Sequence, residues 1–264
     1  VDHGLVVHRH ELLADRQGQG VESGAGSAGE DDAFHRSGAG LSTKEQKCAG
    51  AGYLCPPMEA KPLIVGIAGG SGAGKTTFLH ALQKELGKGN MTVFSLDNYY
   101  LPADKQKVDE NGETNFDLPT AIDRARYFQD LCALEAGRNV EVVEYDFNNE
   151  DAEPKVLRIP SAPVIVTEGL FVFEYEEVFA AMDLRILLDV DADTRLQRRI
   201  QRDGVERGYD EADVRYRWKH HVLPAEATCL EPFRDRCDLV VDNNDNFEFG
   251  LAQTVARIRI LQDA

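Results

Sequence analysis

The chain has 264 residues, 42% of them hydrophobic, and a formal net charge of −17. That length buries one sizeable core or two small ones. The acidic balance excludes a general nucleic-acid binder, which needs a basic face to meet phosphates. No apolar run approaches the roughly 20 residues of a membrane span, and the first residues lack the charged-then-apolar order of a secretory signal. The expected setting is the cytoplasm, without a membrane partner. Five cysteines, Cys48, Cys55, Cys132, Cys229 and Cys237, form no CxxC pair. Reduced thiols are therefore expected rather than a disulfide framework or a zinc site.

Residues 1–57 differ from the rest: they hold 10 of the 23 glycines and four of the seven histidines, with no sustained period of 2 or 3.6. Stretches such as Gly18 to Gly29 cannot bury enough apolar surface to offset the entropy of ordering. The first methionine, Met58, stands just before the first convincing strand. The expectation is that 58–264 is one domain and that 1–57 is disordered or an extension upstream of the natural start, with a regulatory tail as the alternative.

From Lys61 onward β-rich runs alternate with helical patterns. Strands are predicted at Leu63–Ala68, Thr92–Leu96, Val164–Thr167, Leu184–Val190 and Leu239–Val241. Helices are predicted near 75–87, 120–136, 174–182, 192–203, 210–229 and 246–262. Such alternation implies an α/β fold with a parallel sheet covered by helices on both faces. Val140–Phe147 and Lys155–Ile159 flank a polar turn and read as a small projecting β-hairpin.

Gly69, Gly70, Ser71, Gly72, Ala73, Gly74, Lys75 and Thr76 spell GxxxxGK(S/T), with Thr77 following. The motif succeeds an apolar strand and opens an amphipathic helix, the context of a phosphate-binding loop. Its glycines let backbone N–H groups converge on phosphate oxygens, and the helix N-terminus adds partial positive charge. Lys75 would reach the β- and γ-phosphates of ATP, and the Thr76 hydroxyl would ligate Mg²⁺. A GTPase needs an Asn-Lys-x-Asp motif; the nearest string here, Asp242-Asn243-Asn244-Asp245, lacks the lysine. Motor ATPases carry further motifs that are not found.

In an open parallel sheet ligands bind at the carboxyl ends of the strands, and two acids are expected there. Asp97 follows Thr92–Leu96 and is a candidate base for an acceptor hydroxyl, close to the metal. Glu168 follows Val164–Thr167 and is a candidate Mg²⁺ ligand. Further on, Arg195, Arg198, Arg199 and Arg202 recur at i, i+3, i+4 and i+7 and share a helical face. With Arg207 they read as a lid that closes on ATP phosphates and stabilises the charge in transfer.

With these pieces in place, the chain from Pro62 onward resembles the uridine kinase (uridine–cytidine kinase) family of P-loop kinases. The resemblance rests on the loop Gly69–Thr76, on Asp97-Asn98-Tyr99-Tyr100 and on Asn115-Phe116-Asp117-Leu118-Pro119. It extends through Tyr145-Asp146-Phe147, Glu168-Gly169, and Asp191 to Leu196 with the arginines that follow. It implies a five-stranded P-loop fold and phosphorylation of a nucleoside 5′-hydroxyl by ATP with Mg²⁺, uridine or cytidine being the acceptor. Asp97 is then the base, Asp117 meets the ribose hydroxyls, Tyr145 covers the base and Arg199 reaches the substrate. Arg202 and Arg207 approach phosphates, and a homo-oligomer is implied.

Three positions depart from the family. Asn148 to Glu153 stands where a pyrimidine-contacting histidine is expected, with Glu150 as the provisional counterpart. Tyr209 replaces an arginine, and Arg217 replaces a glutamine. All three face the nucleoside, so pyrimidines are expected to be poorer substrates than for typical members. The string His221-Val222-Leu223-Pro224 is similar to ribosylnicotinamide kinases. A related kinase for another small alcohol, of the ribosylnicotinamide, pantothenate or ribulose phosphate type, is the alternative within the class. Outside it stands a non-catalytic ATP-binding sensor.

Overall fold

The computed structural model describes residues 61–145 and 153–264. The expected extension 1–57, the domain boundary at 58, and Asp146, Phe147 and Glu150 lie outside the described residues.

Strand β1 (Leu63–Gly69) leads through the glycine loop into α1 (Lys75–Leu86), and β2 (Met91–Ser95) follows. Two-residue strands β3 (Lys107–Val108) and β4 (Thr114–Asn115) then pair antiparallel. Helix α2 (Arg124–Glu135) leads to a second hairpin, β5 (Val140–Val143) with β6 (Val156–Ile159). The chain continues through β7 (Val164–Gly169), α3 (Glu176–Ala181), β8 (Leu184–Asp189) and α4 (Ala192–Arg202). Helices α5 (Glu211–Arg217) and α6 (Leu223–Cys229), strand β9 (Leu239–Asp242) and helix α7 (Glu248–Gln262) complete it.

Five strands form one parallel sheet in the order β2-β7-β1-β8-β9. Its central strand, β1, is apolar along its length because both of its faces are covered. Successive side chains point to opposite faces, so Ile64 and Ala68 enter one core while Val65 and Ile67 enter the other. The first core is closed by Tyr127, Leu131 and Leu134 of α2 and Val178 of α3. The second is closed by Phe78 and Leu82 of α1 and Val255 and Ile258 of α7.

The five core strands match the sequence expectation to within one or two residues. The second hairpin forms where expected, but β5 ends at Val143 rather than Phe147, and Val140, Val142 and Ile159 pack into the first core instead of projecting. Two differences have local causes. The stretch 120–136 does not start as one helix, because Pro119–Ala121 makes a tight turn and Asp123 caps α2 by accepting from the Arg126 amide. The stretch 210–229 is not one helix either. It widens over Trp218–Val222, just before Pro224, whose ring cannot occupy a regular helix interior. The β3–β4 hairpin was not anticipated, since two residues per strand carry no readable period.

The contact between α7 and β9 is close at Gly250. A Cβ there would stand 2.3 Å from Cγ1 and 2.8 Å from Cγ2 of Val241, a side chain that cannot swing away. Exposed helical Gly→Ala changes usually gain up to about 1 kcal/mol, whereas overpacking costs about 1–3 kcal/mol. Gly250→Ala is therefore expected to lower stability in urea melts. An increase of about 1 kcal/mol would mean that α7 has room to spare.

Candidate active site

The carboxyl ends of β1, β7 and β2 meet at one point. In the parallel register Glu168 lies beside Ile67 on one side and Ser95 on the other. The Ser95 hydroxyl donates to Glu168 Oε1 at 2.5 Å and accepts the Asp97 amide at 3.2 Å. One hydroxyl thus ties the two carboxylate-bearing turns together. Ser95 was not singled out in the sequence, although its position two residues before Asp97 is that of a cap in a tight turn.

Behind the carboxylates the glycine loop takes the backbone form its sequence demands. Gly72 and Gly74 have φ of 81° and 85°, in the left-handed region that residues with a Cβ avoid. The Lys75 ammonium donates to the Gly69 carbonyl at 3.0 Å, so its stem runs back over the loop. Burial pushes the Glu168 carboxyl above its ordinary value, and Asp97 adds to this; Lys75 and the Ser95 hydroxyl pull the other way.

The arginines of α4 divide into two pairs. Arg195 pairs with buried Glu226, donates to the Val190 carbonyl at 2.9 Å and lies over the Trp218 ring. Arg198 donates to the carbonyls of Asn243 at 3.0 Å and Asn244 at 2.9 Å. These two tether α4 to the back of the loop, where a Cβ on Gly70 would strike the Arg195–Glu226 pair. Asn243 completes the support by donating to the Ala73 carbonyl at 2.9 Å. The string that failed as a guanine motif is therefore a brace for the phosphate loop, as only long-range contacts reveal. Arg199 and Arg202 instead share Asp203, which is 1% exposed, at 3.1 Å and 2.8 Å. Arg199 also donates to the Ser71 hydroxyl at 3.1 Å.

These groups border a cleft of about 550 Å³. Residues 71–77, Asp97, Glu168 and Arg198 line it, together with Arg199 and Arg202. So do Asp117, Tyr100, Phe116, Tyr209 and Arg217. Burial raises the Asp117 carboxyl against the pull of Arg199, His221 and Arg217. Of the other expected site residues, Gly69 ends β1, and Gly70 lies beneath Arg195. Tyr145 does not line the cleft; its ring packs 5.3 Å from that of Tyr100, which does. The side chain of Arg207 lies outside the described residues. Arg217 meets Glu113 at 2.7 Å and Asp213 at 3.2 Å.

The cleft fits a nucleoside triphosphate with Mg²⁺ on the chemistry of its donors. Glycines open the backbone on one side, and Thr76, Asp97 and Glu168 supply hard oxygens on the other. Among the described residues no group of three or more His, Cys, Asp or Glu could hold a metal by itself. Mg²⁺ seldom requires one, because phosphate oxygens and waters complete its shell. Among those residues, too, no helix is long and apolar enough to cross a membrane.

The raised Glu168 carboxyl makes a signed prediction. Its folded-state pKa exceeds its unfolded value, so its contribution to stability is whole below the unfolded pKa. That contribution is lost as pH rises through the folded one. Glu168→Gln keeps an acceptor for Ser95 and carries no charge. Ligand-free melting temperatures of this variant are expected to gain on the wild type as pH rises above the ordinary carboxylate range. A difference that is flat with pH, or that moves the other way, contradicts the burial of that charge.

Residues 64–247 match the Phosphoribulokinase / Uridine kinase family. The uridine kinase of Macrococcus caseolyticus is 35% identical over 202 residues, covering 76% of this chain and 98% of that protein. That of Deinococcus deserti is 32% identical over 199 residues, covering 75% and 96%. Among solved structures, the D-glycerate 3-kinase of Cryptococcus neoformans superposes with a TM-score of 0.50 at 15% identity, covering 77% of this chain and 96% of that one. This last likeness concerns the fold alone. A match over most of the chain, with the loop, Asp97 and Glu168 at the ends of adjacent strands, means that the chain belongs to the phosphoribulokinase/uridine kinase family.

Proposed function

We propose that the protein transfers the γ-phosphoryl group of ATP to the 5′-hydroxyl of a nucleoside, with uridine and cytidine the first acceptors to test. The observation that carries this reading is the meeting of Lys75, Asp97 and Glu168 at one end of the sheet, in a cleft that also presents Asp117, Tyr100 and Phe116. A cytoplasmic homo-oligomer is part of the same reading.

Each group has work suited to its place. The backbone of 69–77 cradles phosphates, and Lys75 leaves the Gly69 carbonyl to reach the β- and γ-oxygens. Thr76, Glu168 and Asp97 hold Mg²⁺, which when bound neutralises charge on the phosphates. Asp97 accepts the proton of the acceptor hydroxyl as the phosphoryl group passes to it. Arg202 and Arg207 meet the phosphates, with Arg202 fixed in direction by Asp203. Asp117 and Arg199 hold the ribose, while Tyr209 and Arg217 bound the base and Tyr145 backs the Tyr100 ring from outside the cleft.

Asp97→Asn keeps the shape of the turn but cannot take a proton. We expect kcat to fall by roughly 10²–10⁴ while ATP still binds, as measured by coupled ADP release and nucleotide titration. Lys75→Ala should lose at least roughly 10²-fold, about 2.7 kcal/mol of transition-state stabilisation. Full activity in the Asp97 variant would transfer the base's role to another group.

The acceptor side makes a separate prediction. Tyr209 and Arg217 stand where family members carry arginine and glutamine, so uridine turnover is expected below a kcat/KM of about 10⁵ M⁻¹s⁻¹. Tyr209→Arg, with Arg217 left in place on Glu113, should raise it. A wild-type value at or above that figure would show that these departures do not reach the pyrimidine.

A further inference from the structure

The β3–β4 hairpin is too small to hold itself in place. Its ladder has two register pairs, Lys107 with Asn115 and Val108 with Thr114, and Val108 stands in solvent. Isolated hairpins are marginal in water even when longer. Yet Asp117 stands two residues past the end of β4 and is set by it, its amide donating to Asn115 Oδ1 at 2.9 Å. The hairpin must be fixed from outside if Asp117 is to keep one place in the cleft.

Asp109, in the turn of the hairpin, uses both carboxylate oxygens. Oδ1 accepts the amides of Asn111 at 2.8 Å and Glu113 at 2.9 Å, which closes the turn. Oδ2 accepts the Tyr216 hydroxyl at 2.6 Å and stands 2.8 Å from Nε2 of His221, which is 1% exposed. Asn111 returns the contact by donating its side-chain amide to the Tyr216 hydroxyl at 2.6 Å. Arg217 adds a second attachment, donating to Glu113 at 2.7 Å and to the Thr114 carbonyl at 3.0 Å. The Tyr216 hydroxyl and His221 hold the Asp109 carboxyl well below its ordinary range, so it accepts as an anion. Hydrogen bonds to a charged acceptor are the strong kind.

We propose that Asp109, Tyr216, His221 and Arg217 are positioning residues that clasp the β3–β4 hairpin to α5 and the turn after it, and so hold Asp117 against the acceptor. The consequence for the acceptor rests on the reading of Asp117 given above; the clasp itself does not. Arg217, paired with Glu113 and Asp213, acts here as a structural cation whose charge is already met. The braces behind the phosphate loop, Arg195, Arg198 and Asn243, are separate from the clasp. Loosening it should therefore be felt by the acceptor and hardly by ATP.

Tyr216→Phe removes one hydroxyl and keeps the ring, so folding is not at risk. Asp109→Asn weakens both ends of the clasp. In each variant backbone amide exchange across 109–117 is expected to quicken at least about tenfold. The nucleoside KM should rise about tenfold while the ATP KM moves less than about twofold. The double variant should fall short of the summed effects, because both changes break the same bond. Unchanged exchange in the hairpin overturns the clasp whatever the kinetics do. An ATP KM that rises as far as the acceptor KM overturns its selective role. If the wild type turns over no nucleoside, the acceptor reading fails, and the exchange result alone upholds or overturns the clasp.

Discussion

The register of three parallel strands sets the chemistry of this protein. β1, β7 and β2 run side by side with their carboxyl ends level, so the glycine loop, Glu168 and Asp97 emerge next to one another although they are far apart in the chain. A slip of one residue would turn Glu168 to the opposite face. The alternation of buried side chains on both faces prevents that slip, because each strand is locked between two cores. On one side Tyr127 stacks on Phe94 at 4.7 Å and meets the Thr167 hydroxyl, bracing the strand end just before Glu168.

Holding two carboxylates near a lysine in a partly buried cleft is costly, and the structure spreads that cost over several small contacts. Ser95 gives Glu168 a donor, Lys75 gives it a countercharge, and the Asp97 turn is capped by the same serine. The chain as a whole carries a net charge of −17. The cleft gathers Lys75, Arg198, Arg199, Arg202 and Arg217. An acidic protein can thus carry a cationic pocket suited to an anion.

The arginine-rich helix shows how one face can serve two purposes. Arg195 and Arg198 are tethers to Glu226 and to the carbonyls of Asn243 and Asn244, while Arg199 and Arg202 are directed by buried Asp203. Breaking either kind of pair would leave a poorly solvated charge, a costly outcome in a protein interior. Beyond this helix, α5 reaches back to the β3–β4 hairpin, so the segment that follows β8 touches both the phosphate loop and the hairpin that leads to Asp117.

The sequence by itself determined the sheet, the loop and the two strand-end acids. These depend on short-range chemistry: apolar runs, glycines that free the backbone, and a carboxylate placed just after a strand. It also made the four arginines of α4 legible as one face, since helical periodicity is local. What each arginine touches was decided only by the tertiary structure, because its partners lie up to 128 residues away, as with Arg199 and Ser71. The same holds for Ser95, whose importance comes from a neighbour across the sheet, and for Asn243, whose string looked like a failed motif. The β3–β4 hairpin was illegible for a different reason. Its strands are too short for any period, and its side chains find their partners on α5 and the turn after it, about a hundred residues away in the chain.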